Sequence, residues 1–174
     1  MREVESVAVL CNRLAALAEH DDAVVLHDRV VPGRGGSLAS LDHVVCTGDE
    51  VLVVETQHVR GRPRRSVEGG LLRARRERLV VGKHDGTPLI AHVLAQVGLV
   101  SAALRDAGLH EVAVTGALCF VETEIPWGEF VVDGVLVADP DRLVRHIRRA
   151  THGETTVDVA AVAAALRRAF PAQD

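Results

Sequence analysis

Residues 41–57 read Leu41-Asp42-His43-Val44-Val45-Cys46-Thr47-Gly48-Asp49-Glu50-Val51-Leu52-Val53-Val54-Glu55-Thr56-Gln57. Two apolar, β-branched runs, 41–47 and 51–56, flank a Gly48-Asp49 pair. That pattern predicts an antiparallel hairpin with a two-residue loop, and glycine at the first central position suits a type II′ turn. The register then pairs residues whose numbers add to 97, so Cys46 faces Val51, Val44 faces Val53 and Asp42 faces Glu55. Opposed side chains share a face, with Cβ atoms about 4.5–5.5 Å apart. Gln57, two residues beyond Glu55, projects on the same face, whereas His43, Val54 and Thr56 take the other.

Both runs are apolar on both faces, which predicts central, buried strands. Two carboxylates about 4 Å apart repel by about 4 kcal/mol at an effective dielectric of about 20. A shared proton, an intervening arginine or a divalent cation would each relieve that repulsion. A hard cation such as Mg²⁺ takes oxygen ligands and keeps positions open for water and phosphate. A slipped register or longer loop leaves another reading, in which Asp42 caps a strand start and Glu55 pairs with an arginine at a strand end.

Around the hairpin, Val7, Leu10, Leu14, Leu17 and Ala18 follow helical spacing and predict a helix over 3–19. Residues 23–31 read as a strand, 32–37 as a Pro-Gly loop, and 71–75 and 78–81 as short edge strands. A helix over 88–107 ends at Gly108, a strand spans 111–121, and 131–138 forms a further strand broken at Asp133-Gly134. Two helices, 140–150 and 157–170, close the chain, the second capped by Thr155 or Thr156. The order indicates a mixed α/β domain with helices against a central sheet, and 174 residues fit one domain.

Composition excludes several classes. Aromatics are 2% of the chain, too few for a base-stacking platform. Cys11, Cys46 and Cys119 are widely spaced among apolar neighbours and read as reduced core residues; no CxxC pair suggests a zinc knuckle. No GxSxG elbow or P-loop lysine motif occurs. No uninterrupted apolar run approaches a membrane span, and the charged start Met1-Arg2-Glu3-Val4-Glu5 lacks a signal-peptide core, so a cytoplasmic protein with no membrane partner is expected. Net charge is −4, yet residues 60–78 hold eight arginines against two glutamates, a local +6. Arg142, Arg145 and Arg149 share a helical face that reads as a solvated surface, with an extension of the basic cluster as the alternative. His27, His43 and His58 cluster in sequence, but His43 faces away from Asp42, so neutral packed or hydrogen-bonded histidines are expected there rather than metal ligands.

The stretch 25–61, VLHDRVVPGRGGSLASLDHVVCTGDEVLVVETQHVRG, resembles the nuclease-related domain (NERD), a family of the PD-(D/E)xK nuclease superfamily. Leu41-Asp42-His43 matches its (I/L)DH element, Glu55-Thr56-Gln57 stands at its (D/E)xK element, and Arg60-Gly61 matches the trailing RG. Leu94-Ala95-Gln96-Val97 resembles its Gln-bearing helix. Cys119-Phe120-Val121 and Val132-Asp133-Gly134-Val135 follow in the family's order.

The resemblance implies a restriction-endonuclease-like fold over 1–174: a core hairpin 41–57, an Arg-rich segment 60–78 and C-terminal helices 140–170. It implies Mg²⁺ or Mn²⁺ held by Asp42, Glu55, the Thr56 carbonyl and an acidic residue of the first helix, Glu3 in preference to Glu5. Gln96 faces the site, and Gln57 replaces a lysine that positions water and offsets charge on phosphate. Lys83 is the only lysine that could substitute. Arg60, Arg62, Arg64 and Arg65 follow the hairpin and suit backbone phosphates, although a solvated face explains them too. The function expected is that of a bacterial nuclease-like protein acting on DNA or RNA. An inactive nucleic-acid-binding module and a protein-interaction domain are the alternatives. Oligomeric state stays open, a dimer included.

Overall fold

The computed structural model describes residues 2–20, 23–59, 61–69, 76–125, 127–151 and 157–173. Helix α1 (Arg2–His20) precedes β1 (Val24–Val30), a short 3-10 turn (Gly36–Leu38), β2 (Ser40–Cys46) and β3 (Glu50–Gln57). Strands β4 (Pro63–Glu68), β5 (Arg76–Val81) and β6 (His84–Asp85) follow, then α2 (Thr87–Asp106), β7 (Ala113–Phe120), β8 (Phe130–Val132), β9 (Val135–Ala138), α3 (Pro140–Thr151) and α4 (Val159–Ala169). Six strands form a mixed sheet in the order β1-β2-β3-β7-β9-β8, and β4-β5-β6 form a second sheet. Strands β3, β7 and β9 run parallel; β1-β2-β3 and β8-β9 pair antiparallel. This is the architecture expected of a restriction-endonuclease-like fold.

Alternation along the central strands divides the core. Val44, Cys46, Val51 and Val53 pack with Val100 and Leu104 of α2 and Leu166 of α4. Val45, Leu52 and Val54 pack on the other face with Leu10, Leu14 and Leu17 of α1 and Leu143 and Ile147 of α3. Ala18, expected on α1's apolar stripe, is exposed. Strand β7 accepts α2 closely because Gly116 has no side chain: a Cβ there would sit 2.4 Å from Val93 Cγ1. Helix α2 is long and apolar enough by composition to cross a membrane. Here it covers the sheet instead, burying Ile90, Val93, Gln96, Val100 and Leu104. It ends as expected at Gly108 (φ +80), where Leu109 N–H bonds Leu104 O and Gly108 N–H bonds Arg105 O, both at 2.9 Å.

The hairpin register is the one the sequence predicts: His43 pairs Val54, Val44 pairs Val53 and Cys46 pairs Val51. The turn differs. Neither Gly48 nor Asp49 has the positive φ that a type II′ turn needs. Thr47 N–H bonds Glu50 O at 2.9 Å, and Thr47 Oγ1 takes the return bond from Glu50 N–H at 3.1 Å while donating to Glu50 O at 2.9 Å. Gly48 O accepts Val157 N–H at 3.1 Å. Asp158 caps α4, its side chain accepting Ala161 N–H at 3.0 Å. The expected caps Thr155 and Thr156 lie outside the described residues, as does the expected strand 71–75. Strand β4 escapes periodicity because only Pro63 of its six residues is buried. Pairing with β5 makes it a strand, supported by the diagonal ion pairs Arg65–Glu77 (3.4 Å) and Arg78–Glu68 (3.3 Å).

Candidate functional site

One residue beyond the last paired positions of the β2–β3 ladder, Asp42 and Glu55 meet as the register requires. Asp42 Oδ2 accepts the Thr56 backbone N–H at 2.9 Å, which fixes the carboxylate across the strands. Glu55 Oε2 accepts Gln96 Nε2 at 3.0 Å, and Glu55 Oε1 lies 3.5 Å from His92 Nε2. Gln96 Nε2 also approaches Ser40 O at 3.4 Å and His92 Nε2 at 3.1 Å. Helix α2 therefore supplies two polar groups to one carboxylate, four residues apart and on one helical face. Burial, and next the charge of Asp42, push the Glu55 carboxyl above the usual carboxylate range; the Gln96 hydrogen bond and His92 pull the other way. Ionising Glu55 therefore carries an electrostatic cost in the protein alone.

The donor set fits a hard divalent cation. Asp42 and Glu55 offer carboxylate oxygens, and Gln96, 1% exposed, has an Oε1 with no hydrogen-bond partner among the described residues. An all-oxygen set of this kind suits Mg²⁺ or Mn²⁺ rather than a thiophilic metal.

Gln57 ends β3 half-buried, paired with Phe120 of β7, and its side chain makes no hydrogen bond among the described residues. Arg62 and Arg64 are exposed without ion pairs among the described residues, whereas Arg65 is bound to Glu77. Arg60 and the Glu3 and Glu5 side chains lie outside the described residues. Lys83 is exposed in the turn between β5 and β6, on the second sheet. On α3 and at its start, Arg142 pairs with Asp139, Arg145 bonds Asp141 O at 3.3 Å and Arg149 pairs with Glu129 at 3.2 Å. Those arginines are tied locally, in keeping with a surface role.

Two open depressions adjoin the ends of β3 and β7. One of about 570 Å³ is lined by residues including Arg13, Glu122, Glu124, Arg142 and Arg145, and one of about 630 Å³ by Gly61, Arg62, Glu122, Thr123 and Glu124. Neither is lined by Asp42 or Glu55. The carboxylate pair is recognised by its chemistry and by its place near the carboxyl end of a parallel strand, where open α/β sheets bind ligands.

The model of the nuclease-related domain matches residues 5–121. The chain belongs to the nuclease-related domain family. That family is in keeping with the PD-(D/E)xK superfamily, with a nuclease-related function, with a divalent cation in general terms and with nucleic-acid binding. No curated protein and no solved structure gave a significant match. The matched span takes in β1, the hairpin, the second sheet, α2 and β7, so this nuclease-related domain carries Asp42, Glu55, Gln57 and Gln96 within it.

Sequence reasoning missed His92 and Asp28. His92 stands four residues before Gln96, and that helical spacing is a legible signal once Gln96 is singled out. Asp28 follows His27 on β1, whose register places it across from Asp42, but it leaves the ladder with φ 47°. A non-glycine residue in that region marks a locally constrained backbone. Here the neighbours hold it: Gln173 N–H bonds Asp28 O at 3.0 Å, and Arg29 bridges Ala172.

Proposed function

We propose that this domain hydrolyses nucleic-acid phosphodiester bonds with Mg²⁺ or Mn²⁺ held by Asp42 and Glu55. The observation carrying this reading is Glu55: a half-buried carboxylate beside Asp42, its proton affinity raised, held by Gln96 from a helix far along the chain. The Thr56 carbonyl and Glu3 complete the ligand set on the family's pattern. When bound, such a cation lowers the pKa of water and polarises a phosphoryl oxygen. The chain's own groups then orient and hold. The Thr56 N–H fixes Asp42, Gln96 and His92 orient Glu55, and Gln57 offers an amide to water on the same face. Arg62 and Arg64, with Arg60 and Arg65, supply backbone phosphate contacts that are indifferent to sequence. The functional unit is a single domain over 1–174 in the cytoplasm.

Gln57 favours a second reading, a binding module with little or no cleavage. A neutral amide offsets the developing charge of a phosphoryl transition state poorly, and removing one preorganised electrostatic partner costs about 10²–10³ in rate. The test is time-resolved cleavage of labelled duplex DNA, single-stranded DNA and RNA with Mg²⁺ or Mn²⁺. Wild type should cut slowly, Gln57→Lys faster, and Asp42→Ala in that background not at all. Fast wild-type cutting slowed by Gln57→Lys would make the glutamine an adapted catalytic residue. Absence of cleavage by either protein on every substrate selects the binding module.

A further inference from the structure

On the face of the sheet opposite Gln96, helix α1 lays Cys11 over two histidines. His27 of β1 and His43 of β2 are direct partners in the ladder, and their Nδ1 atoms lie 2.9 Å apart. One ligand atom from each of Cys11, His27 and His43 falls within 4.8 Å of the other two. His43 is 2% exposed, and its Nε2 is buried without a hydrogen-bond partner among the described residues. Cys11 and His27 are half-buried, which leaves a way in from solvent. An interior chosen for packing alone would place apolar side chains beside Val45 and Leu14. Instead two imidazoles meet there Nδ1 to Nδ1 at 2.9 Å, with a thiol within 4.8 Å of both ligand positions.

We propose that Cys11, His27 and His43 form a second metal site, for a borderline cation of the Zn²⁺ class, distinct from the carboxylate pair. Thiolate and imidazole suit Zn²⁺, whereas the all-oxygen set on the other face suits a hard cation. In a tetrahedral zinc site with ligand bonds of about 2.0–2.3 Å, ligand atoms stand about 3.3–3.6 Å apart. The two nitrogens need separate by only a few tenths of an ångström, and the cluster already lies within 4.8 Å. Binding releases the Cys11 thiol proton to solvent. It also moves the proton between the two Nδ1 atoms onto the Nε2 of the ring that carried it, so that both Nδ1 lone pairs face the cation. Asp28 lies outside the cluster but its charge acts on all three groups. A divalent cation and one thiolate leave a net positive charge, which that carboxylate offsets. Three protein ligands leave a fourth position for water.

The test uses Co²⁺ as a spectroscopic stand-in for Zn²⁺ on the reduced, metal-stripped protein. Wild type should bind one equivalent with a thiolate-to-cobalt charge-transfer band, which the carboxylate pair cannot produce, and Zn²⁺ should displace it. Cys11→Ala should lose the band while keeping its circular dichroism, and Cys46→Ala should keep both. His27→Ala should weaken Co²⁺ binding by more than about 100-fold, the upper range for losing only an outer partner of a ligand. Asp28→Asn should keep the band at about tenfold lower affinity. No band in wild type, or a band surviving Cys11→Ala, overturns the site. Loss of the band in Asp42→Asn would also overturn it, by showing one site rather than two.

Discussion

Gln96 Nε2 lies 3.0 Å from Glu55 Oε2, joining the middle of α2 to the end of β3. Through this hydrogen bond a helix 41 residues later in the chain governs the carboxylate pair. A cation bound by Asp42 and Glu55 should raise the melting temperature by mass action, growing with the logarithm of its concentration. Mn²⁺ should therefore stabilise wild type and leave Asp42→Asn unchanged. Without metal, Asp42→Asn should be neutral or stabilising, because it relieves repulsion and its amide oxygen can still accept the Thr56 N–H. Gln96→Leu should destabilise by about 1–3 kcal/mol, since Glu55 then loses its buried donor. Calorimetry with equal Mn²⁺ binding in wild type and Asp42→Asn would remove the metal from these residues.

Gly116 sets the height of α2 above the sheet. A methyl group 2.4 Å from Val93 Cγ1 and 3.1 Å from Val97 Cγ2 has to push the helix outward. Gly116→Ala should destabilise by about 1–3 kcal/mol, the range for overpacking a core. It should also weaken Mn²⁺ binding, because His92 and Gln96 move away with their helix. Urea denaturation and Mn²⁺ titration on one preparation measure both, and a variant with wild-type values in each would detach the helix from the site.

Arg62 and Arg64 are open to phosphate, whereas Arg65 is engaged by Glu77. Replacing Arg62 and Arg64 with alanine should weaken nucleic-acid binding equally for all sequences. The log–log salt slope should fall by about 0.7–0.9 for each phosphate that is no longer neutralised. Arg65→Ala alone should change it less. An unaltered slope in the double variant assigns these residues to a solvated face.

At the start of β3, Glu50 bonds Thr115 Oγ1 at 2.7 Å and lies 3.5 Å from His146 Nε2 of α3. The hydrogen bond with His146 is the chief cause holding the Glu50 carboxyl below 4.5, and the same bond raises His146 above 6.5. The histidine's contribution to stability is fully present below its unfolded pKa and is lost as pH rises through its higher folded value. The glutamate's is present above its unfolded pKa and is lost as pH falls through its lower folded value. The melting-temperature difference between wild type and His146→Gln should therefore be largest between pH 4.5 and 6.5 and shrink on either side. A difference that does not vary with pH would mean the pair is uncharged.

The central hairpin could be read in advance because its information is local. A two-residue connection fixes which residues oppose one another, and the side-chain period of two then assigns faces. Asp42 opposite Glu55, and His43 turned away from both, follow from that arithmetic. The turn type did not, because Thr47 replaces a backbone hydrogen bond with a hydroxyl. Strand β4 did not, because Pro63-Arg64-Arg65-Ser66-Val67-Glu68 has no apolar alternation and is ordered by its partner.

By itself the sequence determined the mixed α/β class, the order of most elements, the hairpin register and the family pattern carried by Asp42, Glu55 and Gln96. Each rests on short-range chain geometry or on motif order. Only the tertiary structure decided that His92 and Gln96 reach the same carboxylate, that Cys11 closes over His27 and His43, and that Asp28 faces their charge. Apart from those of Asp28, these meetings join residues 16 to 41 positions apart through helix-on-sheet packing. Packing depends on the shapes of both surfaces, such as the hollow at Gly116, and no local periodicity records how two surfaces fit.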